Sequence, residues 1–163
     1  KSKKGVKCMN DFEKEIKFKS CLFFTISRLF RVVNKFAEES FADIDICPTH
    51  GYLMILLDEK REGLSVNEIS ENLTIAASTV TRFVDKLIEK GYVEREKQGK
   101  KSFTRITDVG IEKMPDVYIA WRKIYDRFET AITDSDYLKE TTANMKKFTE
   151  RLENKIDKEI KKD

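Results

Sequence analysis

Residues 76–91, Ala76-Ala77-Ser78-Thr79-Val80-Thr81-Arg82-Phe83-Val84-Asp85-Lys86-Leu87-Ile88-Glu89-Lys90-Gly91, decide the fold. Val80, Phe83, Val84, Leu87 and Ile88 recur at steps of three and four, which predicts the inner face of a helix from about Ala76 to Lys90. Gly91 stands where a left-handed C-terminal stop belongs. The outward side suits a nucleic-acid surface. Ala76, Ala77 and Ser78 are small enough for close approach, and Thr79 and Thr81 offer hydroxyls and methyls. Arg82 and Lys86, one turn apart, can reach guanine or a phosphate. An ordinary solvated surface helix with a Thr-rich first turn has the same composition.

The flanking residues favour the nucleic-acid reading. Before the helix, Ser65-Val66-Asn67-Glu68 has the form of a capping box and opens a short helix with Val66, Ile69 and Leu73 facing inward. A turn at Asn72–Thr74 joins the two into a helix-turn-helix, whose second helix enters the major groove. After the helix, the alternating runs 92–96 and 102–106 bracket Lys97-Gln98-Gly99-Lys100-Lys101, a turn with glycine at its centre. A helix-turn-helix followed directly by such a hairpin is a winged helix. The wing candidates for DNA contact are Arg95, Lys97, Lys100, Lys101 and Arg105, which meet phosphates or the minor groove.

Charge is distributed in the same sense. Residues 78–105 hold eight bases against four acids, whereas residues 38–72 hold nine acids against two bases. One concentrated basic stretch on a mixed chain is the footprint of a polyanion partner. Charged residues make up 37% of the chain, with only six Gly and two Pro, which favours long solvated helices over a turn-rich sandwich. From about Asp11 to Ala42 one apolar stripe predicts a long helix, and Pro48 opens a short buried one that ends near Glu62-Gly63. Thr107-Asp108 caps a helix that contains Pro115, and a last helix runs from Tyr137 to about Ile160. Phe148, Leu152 and Ile156 would lie exposed in a monomer, so a two-fold dimer is expected.

The stretch Leu64–Gly110 resembles the winged helix of the MarR (multiple antibiotic resistance regulator) family. The likeness rests on Ser78-Thr79-Val80-Thr81-Arg82, Val84-Asp85-Lys86-Leu87, Lys90-Gly91-Tyr92-Val93-Glu94-Arg95 and Ile106-Thr107-Asp108-Val109-Gly110. The expected fold is mainly α with a small β-hairpin wing, in a single MarR-like domain spanning residues 1–163. Within it, 48–110 form the winged-helix DNA-binding region, and 11–47 and 111–160 form flanking dimerisation helices. There is one departure: the family's wing usually carries Asp-x-Arg, and those places hold Gln98 and Lys100. Lysine lacks the planar fork of arginine, so this wing should be less sequence-selective. The resemblance further implies a homodimeric, ligand-responsive regulator, most often a repressor, reading a pseudo-palindromic operator in double-stranded DNA. Its effector would be a small aromatic or lipophilic molecule, in a pocket drawn from Phe23, Ile26, Phe30, Tyr52, Leu56, Trp121 and Tyr125. Most of those side chains would serve equally well in a core.

Two alternatives stay open. Some members of the family sense peroxide through a cysteine early in the first helix, where Cys21 stands, although no Tyr lies between Cys21 and Cys47. A buried structural Cys21 is the other reading. From a different class, the winged helix could serve as a protein-interaction module for an acidic partner. Cys47 and His50 have a ligand-like spacing but cannot fill a tetrahedral site, so no metal or other cofactor is expected, and His50 is read as a partly exposed first-turn residue. No phosphate-binding glycine loop or nucleophile elbow occurs, which argues against an enzyme. Three widely spaced cysteines and no run of about 18 apolar residues point to a cytoplasmic protein without disulfides and away from the membrane.

Overall fold

The computed structural model describes the backbone over residues 21–99 and 101–160 and side chains through residue 156. The helices are α1 (Leu22–Phe41), α2 (Pro48–Glu59), α3 (Val66–Leu73), α4 (Ala77–Glu89), α5 (Asp108–Ala131) and α6 (Ser135–Ile160), with a 3-10 turn at Ala42–Ile44. Strands β1 (Val93–Gln98) and β2 (Lys101–Ile106) form an antiparallel hairpin between α4 and α5. The chain divides into two compact units, and the division falls between Trp121 and Arg122, inside α5. The mainly α fold with a hairpin wing is as the sequence predicts.

The first unit is built around Leu53, Met54 and Leu57 of α2, Ile69 of α3 and Val80, Val84 and Leu87 of α4, all fully buried. Val93 and Ile106 of the hairpin and Met114 and Val117 of α5 close over them. Each large side chain removed from water in this way contributes about 1.5–3 kcal/mol. Tyr118 Oη donates to Asp58 Oδ2 at 2.9 Å and ties α5 to α2.

A third strand position, absent from the sequence reading, fastens the wing to this core. Leu64 exchanges both backbone hydrogen bonds with Thr104: Leu64 N–H to the Thr104 carbonyl at 3.0 Å, and the reverse at 2.7 Å. That pairing explains why α2 stops at Glu59 rather than near Glu62-Gly63. Lys60 leaves helical geometry, and Gly63 adopts φ +89° to turn the chain toward β2. The hairpin is also tighter than the sequence suggests. Pairing continues to Gln98↔Lys101, so Lys97 and Lys101 stand on strands rather than in a five-residue turn.

At the far end of the hairpin four elements converge. Gly91, at φ +72°, ends α4 as expected, with Gly91 N–H on the Ile88 carbonyl and Tyr92 N–H on the Leu87 carbonyl. The Tyr92 carbonyl then accepts Thr107 N–H at 3.0 Å. Thr107 Oγ1 donates to the Gly91 carbonyl at 2.6 Å and accepts Gly110 N–H at 3.0 Å, which makes it the cap of α5.

The expected helix start near Asp11 lies outside the described residues, and α1 is helical over its described span. In the second unit α6 begins at Ser135, two residues before the expected Tyr137, because Asp134 Oδ1 accepts from the backbone N–H groups of Asp136 and Tyr137. Tyr137, Met145, Phe148, Leu152 and Ile156 are exposed along α6. Among the described residues no helix is long and apolar enough to cross a membrane.

A Cβ at Gly110 would come within 2.1 Å of the Tyr92 carbonyl oxygen, a backbone atom that cannot swing aside. Gly110→Ala is therefore expected to cost about 1–3 kcal/mol through overpacking, measured as a lowered urea midpoint with unchanged slope.

Candidate nucleic-acid interface

The outward residues of α4 are positioned by the helix before it. At the start of α3, Ser65 Oγ accepts Glu68 N–H at 3.3 Å, and Glu68 Oε2 accepts Ser65 N–H at 2.8 Å, so both halves of the capping box form. Those bonds from Ser65, with Lys101 adding a smaller attraction, hold the Glu68 carboxyl below its usual pKa range. At the end of α3, Thr74 takes a left-handed conformation at φ +54°, and Ser70 Oγ donates to the Ile75 carbonyl at 2.6 Å. This turn delivers α4 with Val80, Val84 and Leu87 buried and Ser78, Arg82 and Lys86 exposed on the opposite side.

Ser78, Arg82 and Lys86 are spaced at four residues and share one face of the helix. Neither Arg82 nor Lys86 enters an ion pair among the described residues. Thr79 and Thr81 are half-buried, and Thr81 Oγ1 donates to the Ala77 carbonyl at 3.0 Å, so its hydroxyl proton is spent inside the helix. Its oxygen still accepts.

The wing divides its cations by type. Arg95 Nη1 pairs with Asp85 Oδ1 of α4 at 2.7 Å. Arg105 Nη1 pairs with Glu96 Oε2 at 2.6 Å, and Arg105 Nε donates to the Glu62 carbonyl at 3.0 Å. Both guanidiniums therefore hold the wing to the body. Lys97 and Lys101 are exposed, and neither enters an ion pair among the described residues. Lys100 lies outside the described residues. Lys101 and Ser102 line a cavity of about 390 Å3 with Asn67, Glu68 and Phe103. Sequence reading missed Asp85, Glu96 and Glu62 as anchors, although alternating charge in Glu94-Arg95-Glu96-Lys97 was the available signal.

The residues expected to line an effector pocket come together only in part. Tyr52 and Trp121 stack at 5.2 Å with planes 9° apart, and Phe41 meets Trp121 edge-on at 6.3 Å. Tyr52 and Leu56 line a cavity of about 180 Å3 with Ile55, Glu59, Asn72 and Leu73. Phe23, Ile26 and Phe30 are exposed on α1, and Tyr125 belongs to the second unit. Cys21 is half-buried and immediately precedes α1, while Cys47 is exposed immediately before α2. His50 departs from expectation: it is buried rather than partly exposed, because the first turn of α2 faces Phe83 of α4.

Residues 48–99 match the MarR family model. No curated protein matches the chain. Among solved structures, the chain is similar to the Staphylococcus aureus MepR–DNA complex at 16% identity and TM-score 0.72, covering 81% of this chain and 98% of that one. CouR from Rhodococcus jostii RHA1, bound to p-coumaroyl-CoA, matches at 16% identity and TM-score 0.69, with 82% and 95% covered. Sco5413, a MarR family transcriptional regulator from Streptomyces coelicolor, matches at 21% identity and TM-score 0.68, with 81% and 93% covered.

The Asp85–Arg95 pair is partly exposed on both sides, so a double-mutant cycle with Asp85→Asn and Arg95→Met should give a coupling of about 0.2–1 kcal/mol in urea unfolding. Additive single effects would mean that the pair does not anchor the wing.

Proposed function

We propose that the chain is a sequence-specific DNA-binding transcriptional regulator of the MarR family, whose family model residues 48–99 match. One observation carries the reading: Arg82 and Lys86 stand exposed, and free of ion pairs among the described residues, on the helix whose other face is fully buried. On this reading Ser78, Thr79, Thr81, Arg82 and Lys86 meet base edges and phosphates in the major groove. Lys97, Lys100 and Lys101 add sequence-independent charge from the wing. Arg95 and Arg105 contribute to DNA contact by holding the wing in place.

The working unit is a homodimer joined through α1 and α6. The exposed apolar stripe Tyr137, Met145, Phe148, Leu152 and Ile156 supports it, since such a stripe on a charged helix needs a partner. Two-fold symmetry sets two recognition helices roughly 34–36 Å apart and so selects a pseudo-palindromic operator. A small aromatic or lipophilic effector near Tyr52, Leu56 and Trp121 would alter that spacing and release the operator, which makes the protein a ligand-responsive repressor acting in the cytoplasm. The CouR structure carries p-coumaroyl-CoA, in keeping with such an effector class. No catalytic role is assigned to any residue.

Binding to duplexes from the region upstream of its own coding sequence is expected to weaken with salt, at a log–log slope of about −0.9 per phosphate neutralised. Arg82→Ala should cost about 1–3 kcal/mol and relax preference at one base. Lys101→Ala should instead flatten the salt slope by about one phosphate, equally for every sequence. Absence of any duplex binding at low salt sinks the regulator reading. Leu152→Lys should convert the dimer into a monomer by light scattering, and a variant of unchanged mass would remove α6 from the interface.

A further inference from the structure

The sequence contains one histidine, His50, and it lies beneath the recognition helix. Its ring meets the Phe83 ring of α4 at 4.9 Å between centroids with planes 80° apart. The residue is only 7% exposed, and Nε2 is enclosed with no hydrogen-bond partner among the described residues. Native proteins leave few buried polar atoms in that condition, because an unpaired donor costs its full desolvation. A protonated Nε2 would be worse, since it adds a charge without an acceptor.

The charged groups around the ring come from every neighbouring element. Lys86 and Lys90 approach from α4. Glu38 of α1 and Asp45 of the turn before α2 line the same cavity of about 390 Å3 as His50, together with the Cys47 thiol. Each carboxylate already has a donor: Glu38 accepts from Asn34 at 2.8 Å, and Asp45 accepts from Lys90 Nζ at 2.5 Å. Lys90 is thus paired with Asp45, and Lys86 is the ammonium near the ring that enters no ion pair among the described residues. Burial first, then Lys86 and Lys90, hold the imidazole pKa below 6.5.

We propose that His50 is a positioning residue for the recognition helix: its neutral ring wedges against Phe83 and seats α4, and protonation unseats it. The step is uptake of one proton from water onto the neutral ring, with no other bond made or broken. The imidazolium, buried near Lys86 and lacking an acceptor at Nε2 among the described residues, gains by moving toward solvent, and Phe83 loses its support. Phe83 adjoins Arg82 and precedes Lys86 by one turn, so the displacement reaches the residues that meet DNA. Its effect on duplex binding rests on the DNA reading above.

The sign follows from linkage. The unfolded group titrates near 6.5 and the folded group lower, so the stability from the neutral wedge is complete above 6.5. It is lost progressively as pH falls from 6.5 toward the lowered folded value. Charge alone predicts the opposite for DNA, because an added positive charge near a polyanion tightens binding. Weakening on acidification thus separates helix seating from simple attraction.

The test is an NMR titration of the full chain from pH 8 to pH 5, following the single imidazole and the Phe83 ring, alongside duplex affinity for the natural chain, His50→Gln and His50→Phe. The imidazole should titrate below 6.5, with the Phe83 resonances following at the same midpoint. Duplex affinity should fall by up to about tenfold per pH unit, the ceiling for one proton, and both variants should lose that dependence. An imidazole midpoint at or above 6.5, stationary Phe83 resonances, or variants with the natural pH profile would each overturn the proposal. Phe83 following the imidazole while no duplex is bound at any pH upholds the wedge and sinks the DNA reading. The titration needs no variant, so poor folding of His50→Phe leaves the proposal decidable.

Discussion

A single backbone oxygen, the carbonyl of Tyr92, organises the winged helix. It receives the N–H of Thr107, and the α-carbon of Gly110 is pressed so near that no side chain fits. Through Gly91 it follows the end of α4, through Val93 it opens β1, and through Thr107 it joins the end of β2 to the start of α5. Four elements therefore take their relative directions from one close approach, and the wing keeps a fixed place beside α4.

That fixed place gives the basic residues their meaning. Arg82 and Lys86 would be unremarkable on an isolated helix, and Lys97 and Lys101 on an isolated hairpin. Held to one core through the Leu64–Thr104 pairing and the Asp85–Arg95 bridge, they belong to one compact unit. Side chains on a preorganised frame lose less freedom on binding than the same residues on a loose segment.

Most of this was legible locally. The capping box at Ser65 and Glu68, the left-handed Gly91 and the 3.6-residue stripe of α4 are written in consecutive residues, and each appears where the sequence puts it. What escaped was written across distance. Leu64 meets Thr104 forty positions on, and nothing near Leu64 marks it as a strand. Arg95 and Arg105 read as wing cations for DNA contact until the fold brings Asp85, Glu96 and the Glu62 carbonyl to them. His50 read as partly exposed because its cover, Phe83, lies on another helix. Likewise Tyr52 and Trp121, both plausible pocket walls, turn out to stack on each other.

The separation of guanidiniums from ammoniums on the wing has an evolutionary consequence. Replacing an arginine there removes a brace, so drift at Arg95 or Arg105 is paid in folding. Lys97 and Lys101 enter no ion pair among the described residues and can turn over at less cost to the fold. If the proposed DNA role holds, a lineage descended from this chain could thus retune its grip on a chromosome, or acquire a new set of target genes, by substitutions at the lysines and on the outer face of α4. The architecture that presents them would stay untouched.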